Sequence, residues 1–518
     1  MSGADRIVSD ADHISRRAFI LGTAAAAASA ARGAAPANPL LSPGSPLTDL
    51  NATDAVRSMV RGELTAERYA AALLARCDSQ RALNAFISFE PERVLEDART
   101  RDRERRAGAK LGPLFGLPVP VKDSVNTQDY PTTGGTPALR HFRPAQDAPV
   151  VAALKAAGAI VLGKTNLHEL SYGWTSNNLA FGAVRNPYDL ARIPGGSSGG
   201  TAAAIAARLA PLGVAEDTEG SIRVPAAYCG IAGFRPSTGR YSTRGCIPIT
   251  PLFDQIGPLA RTVTDLSLFD SVVANDWSPL ESVPLHGVRL GVVRDYWFTN
   301  LDPEVERITD IALGRLRDAG AVLVEGSMPD LARLIDLTTL PVQNYDVRLA
   351  LARYLQEYGA KLSVDELIGQ ASPDIRDSFR TDVLPGGPNV VSEAAYTAAR
   401  DRYLPALRRL YQEYFSRTQV AAVVFPTTLV PPPLIGEETT ITTTGGRSLP
   451  FEVAVARNIA PGSTAGLPCL VLPAGLSRGG LPVALEFDAP AATDRRLLAL
   501  GLRLEQALGP IPAPKGTA

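Results

Sequence analysis

The sequence predicts an α/β fold, a sheet with helices packed over it. Three observations predict it. The order helix, glycine, strand recurs through the middle of the chain, which is the pattern of a sheet with covering helices. Apolar runs at 421–425 and 469–473 read as buried strands that return to the sheet late in the chain. The 518 residues are 45% hydrophobic, ample for a large core, and large α/β enzymes of this length often form one unit.

Taken in order, helical patterning runs over 52–81, a short strand over 85–89 and a charged helix over 91–107. An apolar β-like run covers 117–122, a helix 150–157 and a compact strand 159–162. The stretch Thr-Ala-Ala-Ala-Ile-Ala-Ala-Arg-Leu-Ala begins at Thr201, and its alanine content predicts helix. Residues 326–420 are mostly helical by pattern, broken by Pro-Gly-Gly-Pro at 385–388. They read as a helical insertion or cap beside the active site.

The first 35 residues are an address. Ser-Arg-Arg-Ala-Phe-Ile-Leu-Gly at 15–22 precedes an alanine-heavy apolar stretch ending at Ala31. Ala28-Ser29-Ala30 offers a small-x-small cleavage site. The stretch is too short and too weakly hydrophobic for a stable membrane span. Twin arginines before such a segment read as a twin-arginine export signal, hence a periplasmic or secreted protein. Residues 36–50 follow as a Pro-, Ser- and Asn-rich linker, and 51–512 form the folded domain.

Composition excludes several functions. The net charge is −1 and no basic run marks a nucleic-acid surface. Four histidines, with neither His-Glu-x-x-His nor Cys-x-x-Cys, speak against a metal site. The cysteines Cys77, Cys229, Cys246 and Cys469 are few and widely spaced and read as buried thiols, Cys229–Cys246 being the one pairing to check. Gly158-Ala-Ile-Val-Leu-Gly-Lys164-Thr165 matches a phosphate-loop pattern in form. A phosphate loop, however, needs a strand before its first glycine, and here the intervening residues are themselves the strand.

The chemistry lies in two serine-bearing loops and one lysine. Pro-Gly-Gly-Ser-Ser-Gly-Gly (194–200) and Asp-Thr-Glu-Gly-Ser-Ile-Arg (217–223) place Ser197 and Ser221 24 positions apart, with Lys122 in Val-Pro-Val-Lys-Asp 75 residues upstream of Ser197. Two serines and a lysine without a nearby histidine point to acyl transfer with lysine as the base. Ser221 opens a short helix, where backbone N–H groups point outward and can form an oxyanion hole. The Ser197 hydroxyl both accepts and donates, so it can relay a proton. Lys122 serves as a base only when uncharged, which burial among Val119 and Val121 favours. Asp217 and Arg223 read as a structural ion pair that steadies the loop.

These elements resemble the amidase signature family of Ser-Ser-Lys serine hydrolases. The matching text is Pro-Val-Pro-Val-Lys-Asp, Gly-Ala-Ile-Val-Leu-Gly-Lys-Thr-Asn, the stretch 194–240, Thr464-Ala-Gly-Leu-Pro and Gly480-Leu-Pro-Val-Ala-Leu. The resemblance implies a single domain around a mixed sheet of about eleven strands. It implies Ser221 as the acylated nucleophile, Ser197 as the bridging serine after a cis peptide bond from Gly196, and Lys122 as the base. The N–H groups of Thr218, Glu219, Gly220 and Ser221 would form the oxyanion hole. No cofactor and no metal are implied.

The family pattern has glycine where this chain has Glu219, whose carboxylate would oppose an oxyanion if aimed at it. It is therefore expected to face a polar neighbour. Leu170-Ser-Tyr-Gly-Trp-Thr-Ser-Asn-Asn178 resembles the branch acting on arylacetamide-type primary amides, such as mandelamide or indole-3-acetamide. Tyr172, Trp174 and Ser198 are the expected substrate contacts. The implied partner is a small-molecule amide, with a homodimer left open and no nucleic acid. Alternatives are a different range (peptide amides, anilides, esters or carbamates), an amidotransferase subunit acting on charged tRNA, or a silent binding protein on the same scaffold.

Overall fold

The computed structural model describes residues 46–515, apart from 282, 438–439 and 443–447. The expected export signal lies outside the described residues, as does the linker up to residue 45. The last five residues assigned to that linker belong to the fold instead. Leu47–Asp49 forms a 3₁₀ turn and Leu50 is fully buried, because Leu47 and Leu50 have apolar surface to cover that a solvated linker would leave in water.

Eleven strands form one mixed sheet. They are β1 (Phe86–Ser88), β2 (Pro118–Lys122), β3 (Ile160–Thr165), β4 (Leu212–Asp217), β5 (Ala232–Arg235), β6 (Gln255–Ala260), β7 (Arg289–Val292), β8 (Val322–Glu325), β9 (Ala422–Pro426), β12 (Cys469–Leu476) and β13 (Pro482–Asp488). A small hairpin of β10 (Thr440–Thr442) and β11 (Ser448–Pro450) stands apart. The sheet order is β1-β3-β2-β4-β6-β5-β12-β13-β9-β7-β8. This is the expected α/β architecture, eleven strands included.

Every residue of β2, β3 and β4 is buried, as expected of a sheet covered on both faces. The alanine-rich helix Gly199–Ala206 is buried along its whole length. Its small side chains let it press against the sheet, where Thr201 and Thr165 share a hydrogen bond of 2.6 Å. The phosphate-loop lookalike is confirmed as strand β3. Lys164 is buried and pairs with Asp123 at 3.1 Å, and it donates to Thr132 at 2.8 Å.

Strands β3, β2 and β4 run parallel, so their carboxyl ends emerge at one edge of the sheet, the usual place for a site in an α/β fold. Thr165, Lys122 and Asp217 end these three strands. The segment 326–420 is helical, as expected. Helices from Leu331–Asp336 to Leu404–Thr418 connect β8 to β9, and Val347, Leu351, Leu367 and Phe379 build an apolar cluster with Leu170 and Ile247 from the site loops. The Pro-Gly-Gly-Pro break falls between helices Pro373–Asp382 and Glu393–Ala398. All four cysteines are free and buried, so the Cys229–Cys246 pairing does not form. Among the described residues no helix is long and apolar enough to cross a membrane.

Candidate active site

Lys122 ends β2 and is fully buried. Its Nζ donates to Ser197 Oγ at 2.6 Å and contacts Glu216 Oε1, also at 2.6 Å. The sequence reading contains no role for Glu216. The signal was present, an acidic pair closing the apolar run Leu-Gly-Val-Ala-Glu-Asp, but only the pairing of β4 beside β2 shows what the first acid meets. Burial of the lysine is as expected; its surroundings are not purely apolar, because the Glu216 carboxyl group stands against its amine.

The glycine cluster around Ser197 is a site of close approach, not a flexible loop. A Cβ on Gly196 would stand 2.7 Å from the Trp174 carbonyl carbon. The Gly196–Ser197 peptide is cis. The Ser197 carbonyl accepts from the His168 N–H at 3.1 Å and from the Ser176 hydroxyl at 3.2 Å, which fixes the serine in front of Lys122. Ser198, expected as a substrate contact, is not among the described residues lining the cavity beside Ser221. It is fully buried, its hydroxyl donates to the Glu216 carbonyl at 3.1 Å, and its N–H donates to the Ser221 carbonyl at 3.3 Å. Ser198 thereby ties the two serine loops together.

The second loop is held from beneath by Asp217. Its carboxylate accepts from the N–H of Gly220 at 2.7 Å and of Ile222 at 3.1 Å. Of the expected oxyanion-hole set, Gly220 thus has its N–H engaged by the turn. The N–H groups of Thr218, Glu219 and Ser221 have no acceptor among the described residues. Gly220 sits at φ +98°, and a Cβ there would run into Ile459, so glycine is needed on both counts.

The Asp217–Arg223 pair exists at 3.1 Å, within a larger buried cluster. Arg223 also meets Glu486 at 2.5 Å, and Arg235 meets Asp217 at 3.3 Å. Burial opposes ionisation of Asp217, yet the two guanidiniums hold its carboxyl well below the usual range. Cys469, Glu486 and Asp488 place ligand atoms within 4.8 Å of one another, but Arg223 and Arg235 already supply the positive charge a cation would bring.

Ser221 lines a cavity of about 600 Å³ together with Tyr172, Trp174 and Glu219. Trp174 Nε1 donates to the Glu219 carbonyl at 2.8 Å, and Tyr172 donates to Asn344 at 2.9 Å while its ring packs 4.9 Å from that of Phe379. The two aromatics expected as substrate contacts are thus fixed in the wall. Glu219 does face a polar neighbour: Gln343 Nε2, on helix Thr339–Glu357, donates to its Oε2 at 2.6 Å. Burial pushes the Glu219 carboxyl up to about 7, against the opposing pull of Gln343. His168, another wall residue absent from the sequence reading, bonds Thr175 at 3.0 Å. Burial pushes its imidazole down to about 4, so it is neutral near pH 7.

The Amidase family profile matches residues 68–498. The chain belongs to the amidase family. The chain is 37% identical over 437 residues to the indoleacetamide hydrolase of Agrobacterium vitis, which spans 84% of this chain and 92% of that one. It is 37% identical over 481 residues to the mandelamide hydrolase of Pseudomonas putida, covering 90% and 93%. The X-ray structure of the Stenotrophomonas maltophilia peptide amidase superposes with a TM-score of 0.75 at 29% identity, covering 90% of this amidase and 99% of that chain. This amidase is an amide C–N hydrolase.

Proposed function

We propose that this amidase converts aryl-substituted primary amides to the acid and ammonia through an acyl-enzyme on Ser221. The observation that carries the reading is Lys122 bonded to the buried Ser197, together with a cavity lined by Ser221, Tyr172 and Trp174. Ser221 Oγ attacks the amide carbonyl carbon as its proton passes to Ser197, whose own proton passes to Lys122. The oxyanion receives the N–H groups of Thr218, Glu219 and Ser221. The C–N bond then breaks, and the proton returns from Lys122 through Ser197 to the leaving nitrogen, which departs as ammonia. Water adds to the ester by the same route and releases the acid.

Flat aromatic walls favour an aryl acyl group, and the names of the two hydrolase relatives agree with that preference. The test is a panel of arylacetamides, aliphatic amides, anilides, esters and peptide amides with purified protein. The expected result is the highest kcat/KM for a primary arylacetamide. A peptide amide, anilide or ester turned over more than about tenfold faster than every aryl primary amide would overturn the substrate reading.

The export reading is also our proposal, motivated by Arg16-Arg17 and the apolar stretch behind them. Replacing both arginines with lysine should leave the protein in the cytoplasm of a bacterial host. Undiminished appearance of the double variant in the periplasmic fraction would refute it.

A further inference from the structure

Among the described residues the cavity wall carries Glu219, Asp374, Asp382 and Glu452, and neither lysine nor arginine. Glu219 is set apart from the other three by depth: it is 7% exposed. Its Oε2 is engaged by Gln343, and its Oε1 has no hydrogen-bond partner among the described residues. Glu219 lines the cavity with that oxygen unengaged, so it can accept from a ligand there.

The position of Glu219 in the loop says which part of a ligand it meets. Its N–H belongs to the set facing the carbonyl oxygen of an amide on Ser221. Its side chain departs from that same residue into the cavity, held away from the oxyanion by Gln343. A substituent one or two atoms from the reacting carbonyl, on the acyl side, is therefore within its reach. Aromatic walls take the rest of that acyl group.

We propose that Glu219 is a specificity residue that binds a protonated amine on the acyl part of the substrate, making aromatic amino-acid amides a preferred substrate class. The inference rests on the amide-hydrolase reading above and deepens it. A hydrogen bond to a charged group, made where water is largely excluded, is the kind that discriminates strongly between substrates.

The experiment compares phenylalaninamide, its des-amino analogue 3-phenylpropanamide and N-acetylphenylalaninamide, in the wild type and in Glu219→Gln. The acetylated compound keeps an N–H but loses the charge. In the wild type, kcat/KM for phenylalaninamide should exceed that of both others by at least about tenfold, mostly through KM. In Glu219→Gln the ratio should fall toward one. No preference for the free amine in the wild type, or a preference that survives Glu219→Gln, would overturn the proposal. The wild-type comparison stands even should the variant fold poorly. If aryl amides are hydrolysed without amine preference, only this inference falls; if none of the amides is hydrolysed, the parent reading falls with it.

Discussion

Ser221→Ala should lower amide turnover by on the order of 10³-fold or more, leaving the protein folded. The loss should be this large because no neighbouring hydroxyl can substitute. Ser197 is bonded to Lys122, and Ser198 is turned into the protein toward the Glu216 carbonyl. Thr175, also in the cavity wall, is held by His168. Stability should change by less than about 1 kcal/mol, since the Ser221 hydroxyl has no hydrogen-bond partner among the described residues and its removal orphans none. Kinetics with an aryl primary amide and labelling by a fluorophosphonate check this together. The wild type should carry the label on Ser221 and the variant should carry none. Undiminished activity in the variant, or a label mapped to another serine of the wild type, would remove Ser221 from its role.

Lys122→Met should cost both activity and stability, for separable reasons. Without the amine, Ser197 has nowhere to pass a proton, a loss on the order of 10²- to 10⁴-fold in kcat. The stability effect comes from Glu216, whose side chain is only 4% exposed. Once Lys122 is gone, the Glu216 carboxylate retains, among the described residues, only the long contact to the Ser124 hydroxyl at 3.4 Å. Stranding one partner of a buried ion pair costs about 3–5 kcal/mol. The double variant Lys122→Met/Glu216→Gln removes the stranded charge and should recover much of the melting temperature while remaining inactive. Thermal unfolding and kcat on the wild type, both single variants and the double variant complete the cycle. A double variant no more stable than Lys122→Met would show that Glu216 is not the charge partner. Retained turnover in Lys122→Met would require another base.

How far the site could be read from sequence differs residue by residue. Lys122, Ser197 and Ser221 stand in short segments whose composition is itself the signal: a lysine closing an apolar strand, and serines among glycines that no ordinary helix or strand would carry. The glycines were legible as a cluster, but whether they flex or are clamped depends on what lies against them. For Gly196 that is the backbone of Trp174. That the Gly220 N–H is engaged by Asp217, three residues earlier in sequence, is visible only as a turn geometry. A serine beside a nucleophile loop can point either way, and only the structure shows the Ser198 hydroxyl turned inward to the Glu216 carbonyl.

The sequence by itself determined the helices and strands of an α/β fold and the mostly helical character of 326–420, and it singled out Lys122, Ser197 and Ser221, the residues proposed for the chemistry. These follow from local pattern, where periodicity, alanine content and glycine placement act over a few neighbouring positions. Only the tertiary structure decided that Glu216 faces Lys122, that Arg235 and Glu486 complete the cluster around Asp217 and Arg223, and that Gln343 restrains Glu219. Those partners sit on strands and helices far apart in the chain. Which of them meet is set by the order in which strands take their places in the sheet, an outcome of burying the whole apolar surface at once. No local stretch of sequence carries that information.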